Sequence, residues 1–253
     1  MRYERMRPSQ IRDAIARGLP FVLPIGVQEY HGEHLPLGMD LLAVTCALDR
    51  LEGQAEIVIL PPFAYGAASY AVAGPEGGTV HVDAGAILPF AQALFAGLLR
   101  VGLRNIHGVI HHQTENFAQG MPTDLAFRLA ARQAVFAHLE ATRGEGWWGG
   151  AGMAGYYEGA EDNPFNWISI HPLLPPGADY VFDHAGRGET ALMLALAPET
   201  VDMGKMVAND RWYTATAPLA SVAEGEKGVA IIMAHLRQVL GLGVWARASG
   251  GGI

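Results

Sequence analysis

Acidic and imidazole side chains are concentrated in the short stretch QEYHGEHLPLGMD, residues 28–40. Glu29, His31 and Asp40 lie there between apolar runs. Carboxylates and imidazoles are ligands that zinc and manganese accept, so the stretch indicates a metal site. Two structural interpretations stay open at this point. An aspartate directly before an apolar periodic run is a common helix N-cap, and a lone histidine is often a hydrogen-bonded structural group.

A second cluster, HHQTEN at residues 111–116, follows the apolar run that begins at Asn105. His112 and Glu115 would lie at the exit of a buried strand, where a site is expected. Adjacent residues on a strand point to opposite faces. His111 and His112 therefore cannot both reach one ion unless the strand has ended, and we expect one of them to be structural.

The third cluster is DHAGRGET, residues 183–190. Asp183 beside His184 could orient the imidazole or raise its pKa. Glu189 has an alternative role as an acid in the first turn of the next helix, where the helix dipole favours negative charge.

Alternating strands and helices must position these clusters. Short apolar runs predict buried strands over residues 21–27, 56–63 and 105–112. Apolar periodicity, caps and glycine stops predict helices over residues 8–18, 40–53, 84–102, 124–144, 187–200 and 224–243. Pro89 is expected near the first turn of its helix. Residues 145–183, rich in glycine, proline and aromatics, show no clean period. The alternation predicts parallel β-α-β units in a layered α/β domain with a mainly parallel central sheet.

Composition limits the function classes. The 253 residues fit one domain over residues 1–253, and half of them are hydrophobic. A net charge of −8 without a basic cluster argues against a nucleic-acid partner. Cys46 is the only cysteine, which excludes an internal disulfide and fits a reducing compartment. The charged N-terminus lacks a secretory apolar core, and no uninterrupted apolar run approaches the roughly 20 residues of a membrane span. We expect a soluble cytoplasmic protein without a membrane partner.

Taken together and in this order, the clusters resemble the creatininase (creatinine amidohydrolase) family. PIGVQEYHGEHLPLGMD matches every fixed position of the family's opening pattern, P-x-G-x-x-E-x-H-G-x-H-L-P-x-x-x-D. DHAGRGETALML is similar to the later His-(Ala/Gly)-Gly-x-x-Glu-Thr segment. GGTV (77–80) and SVAEGEKG are also similar to family segments, and the resemblance spans residues 20 to about 240.

The resemblance implies a metal-dependent hydrolase that cleaves a C–N bond of a small cyclic or linear amide. It implies a layered α/β/α sandwich and a homo-oligomer, often a hexamer. It also implies two divalent ions, zinc with zinc or manganese. Carried over residue by residue, Glu29 would bind one ion, His31 the other, and Asp40 would bridge them.

The strand-end segment departs from the family pattern Asn-Gly-His-x-(Glu/Gly)-Asn. Aligned without a gap, Glu115 and Asn116 fall on the family's Glu and Asn, but Gln113 replaces the ligand histidine. A one-residue shift would let His112 supply the imidazole, and we expect His112 and Glu115 to complete the metal site. Coordination through the weaker amide oxygen of Gln113 is the alternative.

The pocket wall also departs from the best-known members, so creatinine itself is not a safe substrate assignment. Tyr180 stands where those enzymes carry a tryptophan, and Thr114 stands where they carry a tyrosine. Trp147, Trp148 and Trp167 are the nearby aromatic candidates.

A two-ion site of this kind would allow hydrolysis of an amide by a metal-activated water. Two ions bridged by Asp40 would lower the pKa of a water from about 16 to near 7 and polarise the amide carbonyl. The leaving nitrogen needs a proton, and His184 is the candidate shuttle, with Asp183 or Glu189 holding its tautomer. A deformylase-like or peptide-trimming hydrolase of the same family is an alternative. A catalytically weak metal-binding protein is another, which Gln113 favours.

Overall fold

A parallel sheet of four strands forms the centre of the computed structural model, which describes residues 1–158 and 163–242. β1 (Phe21–Ile25), β2 (Val58–Ile59), β3 (Ile106–Ile110) and β4 (Ile168–Pro172) lie in the order β2–β1–β3–β4. In the central pair, Phe21 lies opposite Ile106 and Ile25 opposite Ile110. β4 pairs with β3 in the same direction. The predicted parallel sheet is confirmed.

Helices cover both faces of this sheet. They are α1 (Pro8–Ala16), α2 (Met39–Glu52), α3 (Ala84–Val101), α4 (Pro122–Arg143), α5 (Arg187–Leu196) and α6 (Val222–Val239). α3 and α4 pack on one face, in a core that includes Phe95 and Phe127. α2, α5 and α6 pack on the other, in a core that includes Leu48 and Ile232. The result is the predicted layered α/β/α arrangement, because strands buried on both faces need an apolar layer on each side.

A close backbone approach brings α2 to the end of β1. A Cβ atom at Gly26 would lie 2.5 Å from the backbone nitrogen of Leu41, so only glycine fits there without a shift. This approach places Asp40, in the first turn of α2, beside the loop that follows β1.

Several elements differ from the prediction. β2 spans two residues rather than 56–63, and α5 ends at Leu196, before the short 3₁₀ turn Pro198–Thr200. β4 lies in the stretch without a clean period. Pro89 lies inside α3, beyond its first turn. The C-terminal glycines fall outside the described residues.

Among the described residues, α3 is the one helix long and apolar enough to cross a membrane by length and composition. Its mean hydropathy is 1.6 over 18 residues, and 28% of it is buried. It packs against α4 beside the sheet, as a core helix of an α/β layer does.

Candidate active site

The three sequence clusters meet beyond the carboxyl ends of β1 and β3, the edge at which parallel α/β sheets bind ligands. They line one cavity of about 300 Å³. No lysine or arginine of the described residues lines it. Its acidic and imidazole lining residues are Glu29, His31, Asp40, His111, His112, Glu115, Asp183, His184 and Glu189.

One group of ligand atoms in this cavity comes from Glu29, Asp40 and His112, all buried. His112 Nδ1 lies 3.2 Å from Asp40 Oδ2 and 3.5 Å from Glu29 Oε2. The three ligand atoms lie within 4.8 Å of one another. Two carboxylates and one imidazole around a single point are a ligand set suited to a borderline divalent ion.

A second group comes from His31, Asp40 and Glu189. His31 Nε2 lies 3.7 Å from Asp40 Oδ1 and 3.6 Å from Glu189 Oε2. Asp40 therefore belongs to both groups, with Oδ2 facing the first and Oδ1 facing the second. This is the placement of a carboxylate that bridges two ions.

The His31 ring supports a cation at the second group. Its Nδ1 lies 2.9 Å from the carbonyl oxygen of Glu29, which can only accept, so Nδ1 carries the proton. Nε2 is then a bare acceptor, buried and without a hydrogen-bond partner among the described residues. An unpartnered buried acceptor that faces two carboxylates is suited to binding a metal ion.

The pKa values of Glu29 and His112, in the first group, are both shifted by their surroundings. Burial is the main cause that raises the pKa of Glu29 to about 7; Asp40 acts in the same direction, and His112 opposes it. Burial lowers the pKa of His112, but the hydrogen bond and the charge of Asp40 outweigh burial and raise that pKa to about 9. Protons thus supply the positive charge that a bound cation would supply instead.

His184 is partly exposed and forms a third group of possible ligand atoms with Glu29 and His31. Its Nε2 donates to the carbonyl oxygen of Tyr30 at 2.8 Å, so Nδ1 is the unprotonated nitrogen. That Nδ1 lies 3.8 Å from Glu29 Oε2 and faces the cavity. The ring packs against His31, with ring centroids 4.3 Å apart, and against Tyr213 at 5.0 Å.

Asp183 and Glu189 do not orient His184 in the way the sequence reasoning expected. Asp183 accepts from the backbone N–H of Gly188 at 2.8 Å and of Glu189 at 3.1 Å, because the first turn of α5 leaves these donors unpaired. Glu189 lies in the first turn of α5, as the alternative prediction from the helix dipole expected, and it also belongs to the second ligand group. The Tyr30 carbonyl takes the orienting role.

Glu115 lies apart from the ligand groups found among the described residues. The chain turns at Gln113, which has a left-handed φ of 53°, and then forms the 3₁₀ turn Thr114–Asn116. Glu115 is exposed and accepts from the side chain of Asn116 at 3.2 Å. Both Gln113 and Glu115 line the cavity wall, whereas His112 belongs to the first ligand group.

His34 ties the first loop to later parts of the chain. Its Nε2 lies 2.8 Å from Thr190 Oγ1 on α5, and its Nδ1 lies 3.0 Å from Asn209 Nδ2. Burial lowers its pKa to about 4, so the ring is neutral and structural. Thr79, in the GGTV segment, accepts from the Tyr30 N–H at 3.0 Å and holds the same loop from the other side.

His111 and Trp212 also line the cavity, and the sequence predicted that one of His111 and His112 is structural. His111 faces the cavity together with His112, because β3 ends at Ile110 and strand alternation stops there. Trp212 lines the mouth of the cavity, and no sequence signal pointed to it. Three other tryptophans named from the sequence are absent from the cavity lining; they are Trp147, Trp148 and Trp167.

The fold and the ligand groups define a layered α/β protein with a candidate two-ion site. The family model for Creatininase, described as creatinine amidohydrolase, matches residues 4–247. The chain therefore belongs to the creatininase family.

Two relatives are named hydrolases. The chain is 26% identical over 190 residues to a creatinine amidohydrolase of Pseudomonas putida, across 74% of this chain and 67% of that protein. It is 23% identical over 223 residues to the 3-dehydro-scyllo-inosose hydrolase of Thermotoga maritima, across 88% of this chain and 62% of that protein. The chain thus spans about two thirds of the length of these relatives.

Solved structures share the fold. A manganese form of creatininase superposes with a TM-score of 0.68 at 19% identity, covering 94% of this chain and 97% of that one. A putative creatinine amidohydrolase from Bacteroides fragilis superposes with a TM-score of 0.60 at 16% identity, covering 95% and 94%.

Proposed function

We propose that the protein is a metal-dependent amidohydrolase that cleaves a C–N bond of a small cyclic or linear amide with a water molecule. The observation that carries the proposal is Asp40, whose two oxygens face two separate groups of buried ligand atoms. The relative named creatinine amidohydrolase supports the type of bond cleaved.

The ions we propose are two divalent cations, zinc, manganese or one of each. Glu29, Asp40 and His112 would hold the first, and His31, Asp40 and Glu189 the second. Solved neighbours described as a manganese form and as a Zn-Zn type of creatininase support this choice. When bound, such ions lower the pKa of a water and polarise a carbonyl.

The protein's own contribution to proton transfer would come from His184. Because the Tyr30 carbonyl holds the proton on Nε2, Nδ1 faces the cavity as a base. Nδ1 can take a proton from the attacking water and return it to the leaving nitrogen of the amide. The partly exposed ring also packs between His31 and Tyr213, which keeps that nitrogen directed at the cavity.

The cavity favours a small substrate without anionic groups. Its volume of about 300 Å³ is at the lower end for ligand sites. The apolar lining residues include Val72, Leu174, Phe182 and Trp212, and no lysine or arginine among the described residues lines the cavity. A phosphate or a second carboxylate on the substrate would find no cationic side chain there.

A second candidate is the hydrolysis named for the Thermotoga maritima relative, because that match covers more of this chain than the creatinine amidohydrolase match does. Parallel assays with creatinine, a panel of small amides and 3-dehydro-scyllo-inosose separate the two.

The deciding experiment combines metal content with hydrolysis. Wild-type protein loaded with zinc or manganese should hold two ions per chain and hydrolyse at least one amide of the panel. Asp40→Asn should lose at least one ion and most turnover. The substitution replaces one of the two oxygens by an amide nitrogen, which cannot bind a metal ion, and it removes the negative charge next to both groups. Glu33→Gln is the matched control, since Glu33 lies in the same loop but does not line the cavity. An Asp40→Asn variant with full metal content and turnover would rule the proposal out.

We also propose that the protein is a homo-oligomer that associates through the outer face of α3 and α4, here called the α3–α4 face. Five large apolar side chains are between 44% and 56% exposed on these two packed helices; they are Phe90, Val101, Leu125, Leu129 and Phe136. α3 carries one charged residue, Arg100. α3 and α4 together carry more arginines than acidic residues, so two copies that each have a net charge of −8 would meet there without the repulsion of an acidic surface.

A further inference from the structure

His111 is a buried imidazole of the cavity that belongs to neither ligand group of the proposed centre. It directly follows β3, and 5% of its surface is exposed. Its Nε2 lies 3.3 Å from Glu189 Oε1. That separation is slightly longer than a usual N–H···O hydrogen bond, and neither ring nitrogen of His111 has a hydrogen-bond partner among the described residues. Both side chains are largely buried, with 7% of the His111 side chain and 12% of the Glu189 side chain exposed.

Glu189 presents its two oxygens to different neighbours. Oε2 accepts from the backbone N–H of Ala185 at 2.7 Å and also lies 3.6 Å from His31 Nε2, in the second ligand group. Oε1 faces His111. A carboxylate held at one oxygen can still rotate about its last side-chain bond, which is a soft torsion. A donor at Oε1 removes that freedom and keeps Oε2 directed at the ligand group.

The backbone beside Glu189 shows that this orientation is imposed by the fold. Ala185 has a φ of 51°, in the left-handed region that non-glycine residues rarely adopt. This conformation aims the Ala185 N–H at Glu189 Oε2. An unusual backbone conformation therefore fixes one oxygen of this carboxylate. The other oxygen lies 3.3 Å from His111 Nε2.

We propose that His111 is a positioning residue: its Nε2–H holds Glu189 Oε1, so that Oε2 is ready to bind the ion of the second group. The inference rests on the proposed metal centre and assigns a role to a histidine that supplies no ligand atom in that centre. Donors that hold metal-binding carboxylates and imidazoles commonly change metal affinity by about 10–100-fold.

Metal binding tests this role without an activity assay. The full chain is stripped of metal and titrated with zinc against a chromophoric chelator, and ions per chain are counted by elemental analysis. His111→Ala should weaken one of the two ions by about 10–100-fold and leave the other unchanged. His112→Ala, the matched control one residue along, should weaken mainly the other ion, because His112 belongs to the first group.

Two conservative variants separate positioning from ligation and from packing. His111→Gln places an amide N–H near the position of Nε2 and should keep most of the affinity. His111→Asn places its amide nearer Nδ1, out of reach of Oε1, and should behave like His111→Ala. Circular dichroism checks that each variant is folded, and the Gln and Asn pair carries the test if the alanine variant does not fold.

The outcomes are distinct. If His111→Ala binds both ions as the wild type does, the positioning role is wrong and the metal centre stands. If His111→Gln loses the ion as fully as His111→Ala, then His111 is a ligand or a packing residue, and the inference is again overturned. If the wild type binds fewer than two ions, the two-ion centre under the proposed function fails, and the inference fails with it.

Discussion

His184 carries the clearest single-residue role, because its tautomer is fixed by a backbone group rather than by a titratable one. A carbonyl oxygen can only accept, so the Tyr30 carbonyl keeps the proton on Nε2 whenever the ring is neutral. Nδ1 of the neutral ring is then available to the cavity as an acceptor. The ring lies beside the ligand groups but is more exposed than they are, as a proton carrier needs to be.

His184→Ala should keep both ions and lose turnover by about 10²–10⁴-fold, the usual contribution of a general acid–base group. His184→Gln, which can still donate to the Tyr30 carbonyl but cannot carry a proton, should lose as much. Metal content by elemental analysis and turnover on the best amide of the panel are the two measurements. Loss of an ion in either variant would instead make His184 a ligand, as its place in a group with Glu29 and His31 allows.

The sequence predicts the ligand residues better than it predicts their partners. Glu29, His31 and Asp40 could be named because each occupies a fixed position of a long pattern. The Tyr30 carbonyl could not, because the atom that orients His184 belongs to the backbone and depends on the turn of the loop. Glu115 was expected as a metal ligand because of its place in the strand-end segment, but after the left-handed turn at Gln113 it lies on the cavity wall, outside the ligand groups found among the described residues.

At the scale of elements, β4 is the strand that the hydrophobic pattern of the sequence did not predict. β4 has the sequence ISIHP, and three of its five residues are only half-buried, because it lies at the edge of the sheet. Such a strand is neither a continuous apolar run nor a clean alternation. β1 and β3 are buried along their whole length and were predicted from their apolar runs. Each predicted helix is present within a few residues of its expected bounds.

A chain of hydrogen bonds links β3 and β4 through two neutral histidines. The side chain of Asn105 donates to the carbonyl oxygen of Gly18, so its own oxygen accepts from His107 Nε2–H at 2.7 Å. His107 Nδ1 is then an acceptor and receives the Nε2–H of His171 at 3.0 Å. Burial lowers the pKa of His107 to about 3 and that of His171 to about 4, and His235 on α6 adds to the lowering for His171.

These two lowered pKa values predict that the free energy of unfolding falls with acidification. The unfolded chain binds protons on these rings near pH 6.5 and the folded chain only near pH 3–4, so the stabilisation is complete above pH 6.5 and is lost as the pH falls toward 4. Each ring contributes a slope of up to about 1.4 kcal/mol per pH unit.

Urea unfolding at several pH values between 7 and 4 measures this slope. His107→Gln keeps a donor for Asn105 and removes one titrating ring, so its slope should be smaller than that of the wild type. His81→Gln, at a partly exposed histidine of the loop before α3, should leave the slope unchanged. Equal slopes in the wild type and in His107→Gln would show that the buried pair does not set the acid stability.

At the scale of the whole molecule, charge and apolar surface are distributed unevenly. The α3–α4 face holds five of the exposed large apolar side chains on two neighbouring helices, while the acidic excess lies elsewhere. A cluster of exposed large apolar side chains on neighbouring helices is typical of an interaction site. An anionic membrane surface would repel a chain with a net charge of −8, which favours a second copy of the chain as the occupant.

A charge placed on the α3–α4 face should therefore separate the copies. Leu129→Glu and Phe90→Glu each put a carboxylate into a mainly apolar interface, and burial of such a group is costly. Light scattering after gel filtration should show an oligomer for the wild type and a smaller species for both variants, with unchanged circular dichroism. Val207→Glu is the control, because Val207 is 95% exposed but lies outside this face. A monomeric wild type, or a variant that keeps the wild-type mass, would contradict this assignment of the interface.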